Sequence, residues 1–178
     1  MRRKNRTGSE LQMKRRVFGL GVLATVGLAG CATNSKFKTY YGPEVTSIVV
    51  NKGARNMYLL HHTEILKDYR FDLGFAPVGD KQFEGDGKTP EGTYIIDRRN
   101  PNSSFHLSLG ISYPNAQDIA EAAALGKKPG GEIFIHGQPN QSRAKGPDWT
   151  AGCIAVANHE MEDIYAMVRT GTVITLRA

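Results

Sequence analysis

One cysteine and one histidine offer the clearest potential for nucleophilic chemistry in this sequence. Cys153 lies in the run DWTAGCIAVAN, where Gly152 precedes it and a short apolar run follows. His136 ends the β-rich run EIFIH and precedes Gly137. A thiol is a weak nucleophile until it loses its proton, and a nearby imidazole can lower its pKa and later protonate a leaving amine. The pattern predicts a Cys–His pair at two strand ends. A buried cysteine and a core histidine remain the alternative.

Other chemistries have weaker support. The segment GDGKTPEG is not a P-loop, because Gln82 stands where that motif needs a glycine and a predicted strand follows. His61 and His62 are adjacent, so they would face opposite sides of a strand. A zinc site through His106, His136 and an acid has no supporting spacing, and the sequence has no G-x-S-x-G elbow. We therefore expect neither a metal nor an organic cofactor.

The net positive charge lies at the N-terminus. Residues 1–30 hold seven basic residues and one acid, which accounts for the whole formal charge of +6. The remainder is neutral, so we expect no nucleic-acid partner. The apolar run at residues 17–30 is shorter than the roughly 20 residues that span a bilayer. Basic, apolar and then small residues are typical of a secretory signal peptide.

The end of that run, LAGC, resembles the bacterial lipobox, in which the cysteine is lipidated and the peptide is cut before it. The resemblance implies that residues 1–30 are a lipoprotein signal peptide, that Cys31 is lipidated and that residues 31–43 are a polar tether. Ala32 stands where Asp commonly signals inner-membrane retention. It therefore implies an anchor in the outer membrane, facing the periplasm. Cys153 would then lack a disulfide partner within the chain, as a functional thiol requires.

The remaining pattern is mainly strand. A loop is predicted over residues 76–92, which are rich in Gly, Pro and Asp. Helices are predicted over residues 115–126 and 158–171, the second capped by Asn158. Strands do not alternate regularly with helices, so we predict one mainly β domain over residues 44–178 with two short helices. The predicted strands cover residues 46–51, 56–61, 64–74, 93–98, 105–111, 132–137, 153–156 and 172–177.

From about residue 45 to 178, the chain resembles the L,D-transpeptidase catalytic domain, also called the YkuD domain. The matching pieces are TPEGTY, IHG and TAGCI, in that order. The longer runs EGDGKTPEGTY, FHLSLGISYPN and DWTAGCIAVAN are similar to the YafK-like branch of the family. The resemblance implies a YkuD-like β-sandwich as the fold.

The same resemblance implies roles for individual residues. Cys153 matches the nucleophile that forms a thioester with a peptidoglycan stem peptide, and His136 matches the general base and acid. Gly137 matches the residue whose carbonyl orients the histidine. Thr150 and Gly152 match the positions that frame the oxyanion pocket.

Four further positions bear on the substrate. His106 and Tyr113, in the run FHLSLGISY, are expected to face the substrate cleft. Ala151 and Ala155 depart from the wider family, which commonly has His and Arg there. The missing arginine removes a fixed charge and five donors, so it leaves the final acceptor open.

The expected function is acyl transfer on stem peptides of the meso-diaminopimelate type in cell-wall remodelling. One alternative is hydrolysis, as an amidase that releases peptidoglycan-linked protein or as an L,D-carboxypeptidase. Another is a non-catalytic, peptidoglycan-binding lipoprotein. The expected partners are stem peptides, the membrane through lipid on Cys31, and a peptidoglycan-linked lipoprotein.

Overall fold

The computed structural model of the chain describes residues 35–141 and 146–178. The predicted signal peptide and Cys31 lie outside the described residues. The strands are β1 (Ser47–Asn51), β2 (Asn56–His61), β3 (Glu64–Arg70), β4 (Gly92–Asn100), β5 (Ser108–Ile111), β6 (Phe134–His136), β7 (Ile154–Ala155) and β8 (Val173–Arg177), and the helices are α1 (Ala116–Ala124) and α2 (Asn158–Met167).

The eight strands form one curled sheet in the order β3-β2-β1-β8-β4-β5-β6-β7. Strand β4 joins its two halves, because residues 92–95 pair with β8 and residues 96–100 pair with β5. A register shift between Ile96 and Arg98 lies where the sheet changes partner, and such irregularities increase local bending. The prediction of a mainly β single domain with two short helices is confirmed.

A single hydrophobic core joins the two halves of the sheet. Strands β1 and β8 each alternate buried positions with half-buried or exposed ones, as expected when one face of a sheet is covered. Strand β5 is buried at all four positions. The core side chains from the strands include Ile48, Val50, Leu59, Ile96, Leu109, Ile135, Ile154, Ile174 and Leu176, and α2 adds Met161 and Ile164.

The two helices begin differently. At α1, the Asn115 side chain accepts the amide hydrogen of Asp118, and the Asp118 carboxylate accepts that of Asn115, which is a capping box. The predicted cap of α2 at Asn158 is wrong, because the N-cap is Ala157. The Asn158 carboxamide oxygen instead accepts the Gln138 amide hydrogen at 2.7 Å. Within residues 35–141 and 146–178, no helix is long and apolar enough to cross a membrane.

Two predicted strands are shorter at one end by three or four residues, and both differences shape the site. The third strand ends at Arg70, after which Asp72 and Gly74 form isolated bridges to Ala155 and Thr150. The fifth begins at Ser108 because the chain before it forms turns and bends. Both shortened ends therefore become loops beside the predicted cysteine and histidine.

Residues 36–40, which we call the N-terminal strap, belong to the predicted tether but are packed against the domain. Tyr40 packs against the hydrophobic core. The Phe37 ring lies 6.3 Å from the Tyr165 ring of α2, measured between centroids. Lys38 Nζ lies 2.7 Å from the Asp163 carboxylate of the same helix. The described part of the tether therefore contacts α2 directly.

The central position of β8 yields a stability prediction. We expect Ile174→Ala to lower the free energy of unfolding by about 2–5 kcal/mol, because it opens a cavity in the core. Val173→Ala is the matched control: its side chain is 40% exposed, so the loss should stay below about 1 kcal/mol. Urea denaturation followed by circular dichroism measures both, and equal losses would contradict the assigned strand faces.

Candidate active site

The candidate site is built on the parallel pair β6 and β7. In their register His136 lies opposite Ala155. Two residues earlier on each strand, the same register places Cys153 opposite Phe134. Because alternate residues of a strand project from the same face, the thiol and the imidazole lie on one side of the sheet.

Both groups line a cavity of about 340 Å³. A more open groove of about 790 Å³ lies beside β7 and is lined in part by Arg70, Asp72 and Gln138, but neither reactive group faces it. We therefore assign the site to the smaller cavity. Its lining consists of Asn100, Ser103, Ser104, Phe105, Ser108, Glu132, Phe134, His136 and Cys153.

The backbone next to His136 determines which ring nitrogen carries the proton. The Nδ1 atom lies 2.7 Å from the Gly137 carbonyl oxygen. A carbonyl can only accept, so Nδ1 carries the hydrogen and Nε2 of the neutral ring is a free base. A Cβ on Gly137 would lie 2.5 Å from the Asn158 side-chain oxygen. Only glycine therefore fits at this position without displacing its neighbours.

Aromatic rings enclose the imidazole. The Phe105 ring lies 4.5 Å from the His136 ring and the Trp149 ring 5.6 Å from it, both measured between centroids. His136 is only 3% exposed. Burial lowers the pKa of His136, and the hydrogen bond to Gly137 partly opposes that effect. The ring is therefore neutral at pH 7, as a general base must be.

A long-range ion pair fixes the residue before Trp149. Asp148 has a φ of +52°, and its Oδ2 lies 2.7 Å from Arg55 Nη2. The other oxygen of Asp148 accepts the Leu73 amide hydrogen at 2.9 Å. The hydrogen bond from Arg55 is the main cause that lowers the pKa of Asp148. The β1–β2 turn thereby helps to hold Trp149 beside the histidine.

The Cys153 thiol is half-buried and protonated at rest. Its Sγ donates to the Glu132 carbonyl oxygen at 3.4 Å. Burial raises the pKa of Cys153, the Phe134 amide hydrogen opposes this, and the negative charge of Glu132 adds to it. A neutral thiol beside a neutral imidazole can transfer its proton when a substrate is bound.

Thr150 and Gly152 shape the turn before the cysteine. The Thr150 hydroxyl donates to the Cys153 carbonyl at 2.7 Å and accepts the Gly152 amide hydrogen at 3.1 Å. Gly152 has a φ of +136°, and a Cβ there would lie 2.7 Å from the Lys88 carbonyl oxygen. The Gly152 amide hydrogen is thus engaged in this conformation, and the oxyanion role of both residues stays a prediction.

His106 and Tyr113 are not among the residues that line this cavity, and their expected place at the substrate cleft stays a prediction. His106 has a φ of +69°, and its Nε2 lies 2.9 Å from Glu162 of α2. Tyr113 is buried, and its hydroxyl donates to the Pro129 carbonyl at 3.0 Å.

The structure also shows where the two histidines of the alternative zinc site lie. His136 faces the cavity, whereas His106 bonds to a carboxylate of α2. Within the described part of the chain, no three His, Cys, Asp or Glu side chains are grouped closely enough to hold a metal ion.

The sequence pattern missed several residues of the site. Trp149 is the one tryptophan of the chain and adjoins the Thr-x-Gly-Cys run, which is a signal that could have identified it. Phe105 carries no such signal, because its contact with the imidazole arises from loop packing. The missed lining residues are Asn100, Ser103, Ser104, Phe105, Ser108, Glu132 and Phe134.

Comparison with known proteins gives a consistent result. The model of the YkuD family, described as the L,D-transpeptidase catalytic domain, matches residues 46–176. A protein of Escherichia coli K12, provisionally named L,D-transpeptidase YafK, is 29% identical over 113 residues, or 62% of this chain and 40% of that protein.

Two solved structures resemble the fold of this chain. The helical cell shape determining protein Pgp2 of Campylobacter jejuni is 28% identical with a TM-score of 0.60, over 78% of this chain and 49% of that one. Bd1075 of Bdellovibrio bacteriovorus shares the fold, at 24% identity and a TM-score of 0.53, over 75% of this chain and 48% of that one. This chain therefore spans about half the length of these relatives or less.

The environment of Cys153 predicts how its reactivity depends on pH. Because its pKa is raised, we expect iodoacetamide to alkylate it slowly at neutral pH, with a rate that climbs only above about pH 8.5, the ordinary thiol value. Peptide mass analysis of a Cys31→Ser chain would measure the rate from about pH 6 to 10. The urea-unfolded chain is the control, and its thiol should be alkylated faster than that of the folded chain at every pH below about 8.5. A plateau below pH 7 would instead indicate a resting thiolate–imidazolium pair.

Proposed function

The chain belongs to the L,D-transpeptidase catalytic domain family, whose members are cysteine-dependent enzymes, and we propose that its reaction is acyl transfer on peptidoglycan stem peptides. One observation carries the proposal: the Cys153 thiol and the His136 imidazole, with its free Nε2, face the same cavity of about 340 Å³. That volume suits a short peptide segment.

The first half-reaction follows from the protonation states. Nε2 of His136 takes the thiol proton of Cys153, and the sulfur attacks the carbonyl carbon of a stem-peptide amide. The tetrahedral intermediate collapses with cleavage of the carbon–nitrogen bond. The imidazolium returns its proton to the departing amine, and a thioester remains on Cys153. Backbone N–H groups near the sulfur are the proposed oxyanion donors.

The second half-reaction releases the acyl group. An amine attacks the thioester, Nε2 of His136 accepts the proton lost by the attacking nitrogen, and the thiolate leaves and is reprotonated. Glu132 is the one lining residue with a carboxylate, and its side chain is 80% exposed. One of its oxygens lies 3.0 Å from Arg98 Nη2, so part of its charge is already paired. The second oxygen can attract an ammonium group such as that of diaminopimelate, and to that extent it supports an amine as the acceptor.

Hydrolysis is the second candidate, with water in place of the amine. It covers an amidase that frees a peptidoglycan-linked lipoprotein and an L,D-carboxypeptidase. The supporting observation is Ala155, which is buried beside Asp72 where many relatives in the family carry an arginine. Similarity to a protein named for determining helical cell shape supports a role in cell-wall remodelling for either reaction.

We also propose a lipid anchor on Cys31, which would place the domain on the outer membrane, facing the periplasm. The support is the LAGC sequence after a basic and apolar segment. Four residues separate Cys31 from the N-terminal strap, so the anchored domain would work close to its membrane.

The proposed acyl-enzyme can be observed directly. We expect purified protein incubated with disaccharide tetrapeptides of the meso-diaminopimelate type to show a mass increase at Cys153 or turnover to product. Cys153→Ala should abolish both, and His136→Gln should slow them by about 100-fold or more, since it removes the base. Intact-mass spectrometry and product chromatography measure the two effects.

The same assay separates the alternatives. Crosslinked product supports transfer, whether the acceptor is an added amine or the diaminopimelate amine of a second tetrapeptide, whereas hydrolysed peptide without crosslinked product supports hydrolysis. Tight muropeptide binding without adduct or product would refute the catalytic proposal and leave a binding lipoprotein.

The proposed anchor predicts a change in location. Cys31→Ser should leave an uncleaved or soluble form, because the lipid acceptor is lost. Membrane fractionation and globomycin sensitivity in the native host measure this, with Cys153→Ser as the matched control that should fractionate normally. Unchanged membrane recovery of the Cys31 variant would refute the lipobox interpretation.

A further inference from the structure

A loop of residues 101–106 forms one wall of the candidate site. It connects β4 to β5 through turns and bends alone. Ser103, Ser104 and Phe105 of this loop line the cavity, and the Phe105 ring lies 4.5 Å from the His136 ring. The position of the His136 ring therefore depends on the contacts that fix the conformation of this loop.

One lysine of the N-terminal strap joins the two ends of the loop. Lys36 Nζ donates to the Pro101 carbonyl at 2.7 Å and to the His106 carbonyl at 3.0 Å. An ammonium group has three donors on a compact charge, so it can bridge two carbonyl oxygens. Lys36 is half-buried, and screening by salt is weaker there than at an open surface.

A second set of contacts holds the same end of the loop. His106, in its left-handed conformation, places Nε2 at 2.9 Å from one oxygen of Glu162. The other oxygen of Glu162 lies 3.3 Å from Lys38 Nζ in the strap. The strap and the loop thus share a partner on α2, which brings Lys36 to the loop in a defined position.

From this geometry we propose that Lys36 is a positioning residue for His136. By bridging Pro101 and His106, it keeps the Phe105 ring packed against the imidazole and the imidazole aligned for proton transfer. Lys36 touches no reacting atom. The effect on turnover rests on the proposed function of the Cys153–His136 pair, whereas the effect on the imidazole environment is independent of it.

The test compares Lys36→Met with Lys36→Arg in the full chain. Methionine keeps much of the length and apolar stem of lysine but has no donor, whereas arginine retains charge and donors. Lys128→Met, at an exposed position after α1, is the control for loss of a positive charge. Each variant is measured for thermal unfolding, for the His136 pKa by NMR titration, and for kcat and KM with disaccharide tetrapeptides.

We expect Lys36→Met to lower kcat by about tenfold with little change in KM, because the base is misaligned while the lining is kept. The His136 pKa should rise toward its ordinary value of about 6.5, because a looser Phe105 admits water. Lys36→Arg should keep kcat and the His136 pKa close to those of the parent chain, and so should Lys128→Met.

Two results would overturn the proposal. One is an unchanged His136 pKa in Lys36→Met, whether or not thermal stability falls, because a merely structural lysine would give that outcome. The other is an equal effect in Lys128→Met. If the parent chain shows no turnover, the proposed function fails, but the NMR comparison still decides the positioning role.

Discussion

The parallel pairing of β6 with β7 is the constraint on which the site depends. A slip of one residue would turn Cys153 to the opposite face of the sheet from His136. Two groups of contacts resist such a slip. Asp72 exchanges both backbone hydrogen bonds with Ala155, and the Val156 amide donates to the His136 carbonyl at 3.0 Å. The side chains between the reactive residues, Ile135 and Ile154, are fully buried, and burial of that kind specifies register strongly. The hydrophobic core therefore places Cys153 and His136 on the same face of the sheet.

Burial acts on both reactive groups in the direction that keeps them neutral. It raises the pKa of the Cys153 thiol and lowers that of the His136 imidazole, because the charged form of each loses hydration. The neutral state at rest protects the thiol from reagents that attack thiolates. The same low dielectric strengthens the attraction between a thiolate and an imidazolium once the proton has moved. The attraction within the charged, reactive pair would thus offset part of the hydration that both groups lose.

The sequence predicted the sheet, the two helices and the strand ends that carry Cys153 and His136, since these depend on local periodicity and on glycine neighbours. It did not indicate the side-chain contacts that distant partners determine. His106 stands in a run similar to the family pattern, yet its backbone conformation and Glu162 turn it toward α2. Asn158 has the composition of a helix cap, but Gln138, which is distant in sequence, takes its side-chain oxygen. The packing of Phe105 and Trp149 on the imidazole has no periodic signal at all.

The loop of residues 101–106 shows why such distant partners are necessary here. The loop joins the paired ends of β4 and β5, and Asn140 holds its middle by accepting the His106 amide hydrogen and donating to the Ser103 carbonyl. Without a further donor, the carbonyls of Pro101 and His106 would still be open to water. Lys36 satisfies both carbonyls at once, and its own position is held by contacts of the strap with α2. The strap begins only five residues after Cys31. If Cys31 carries the proposed anchor, the segment that attaches the domain to its membrane also continues directly into the strap, whose Lys36 bridges the ends of the loop of residues 101–106. Location and alignment of the base would then depend on one stretch of chain.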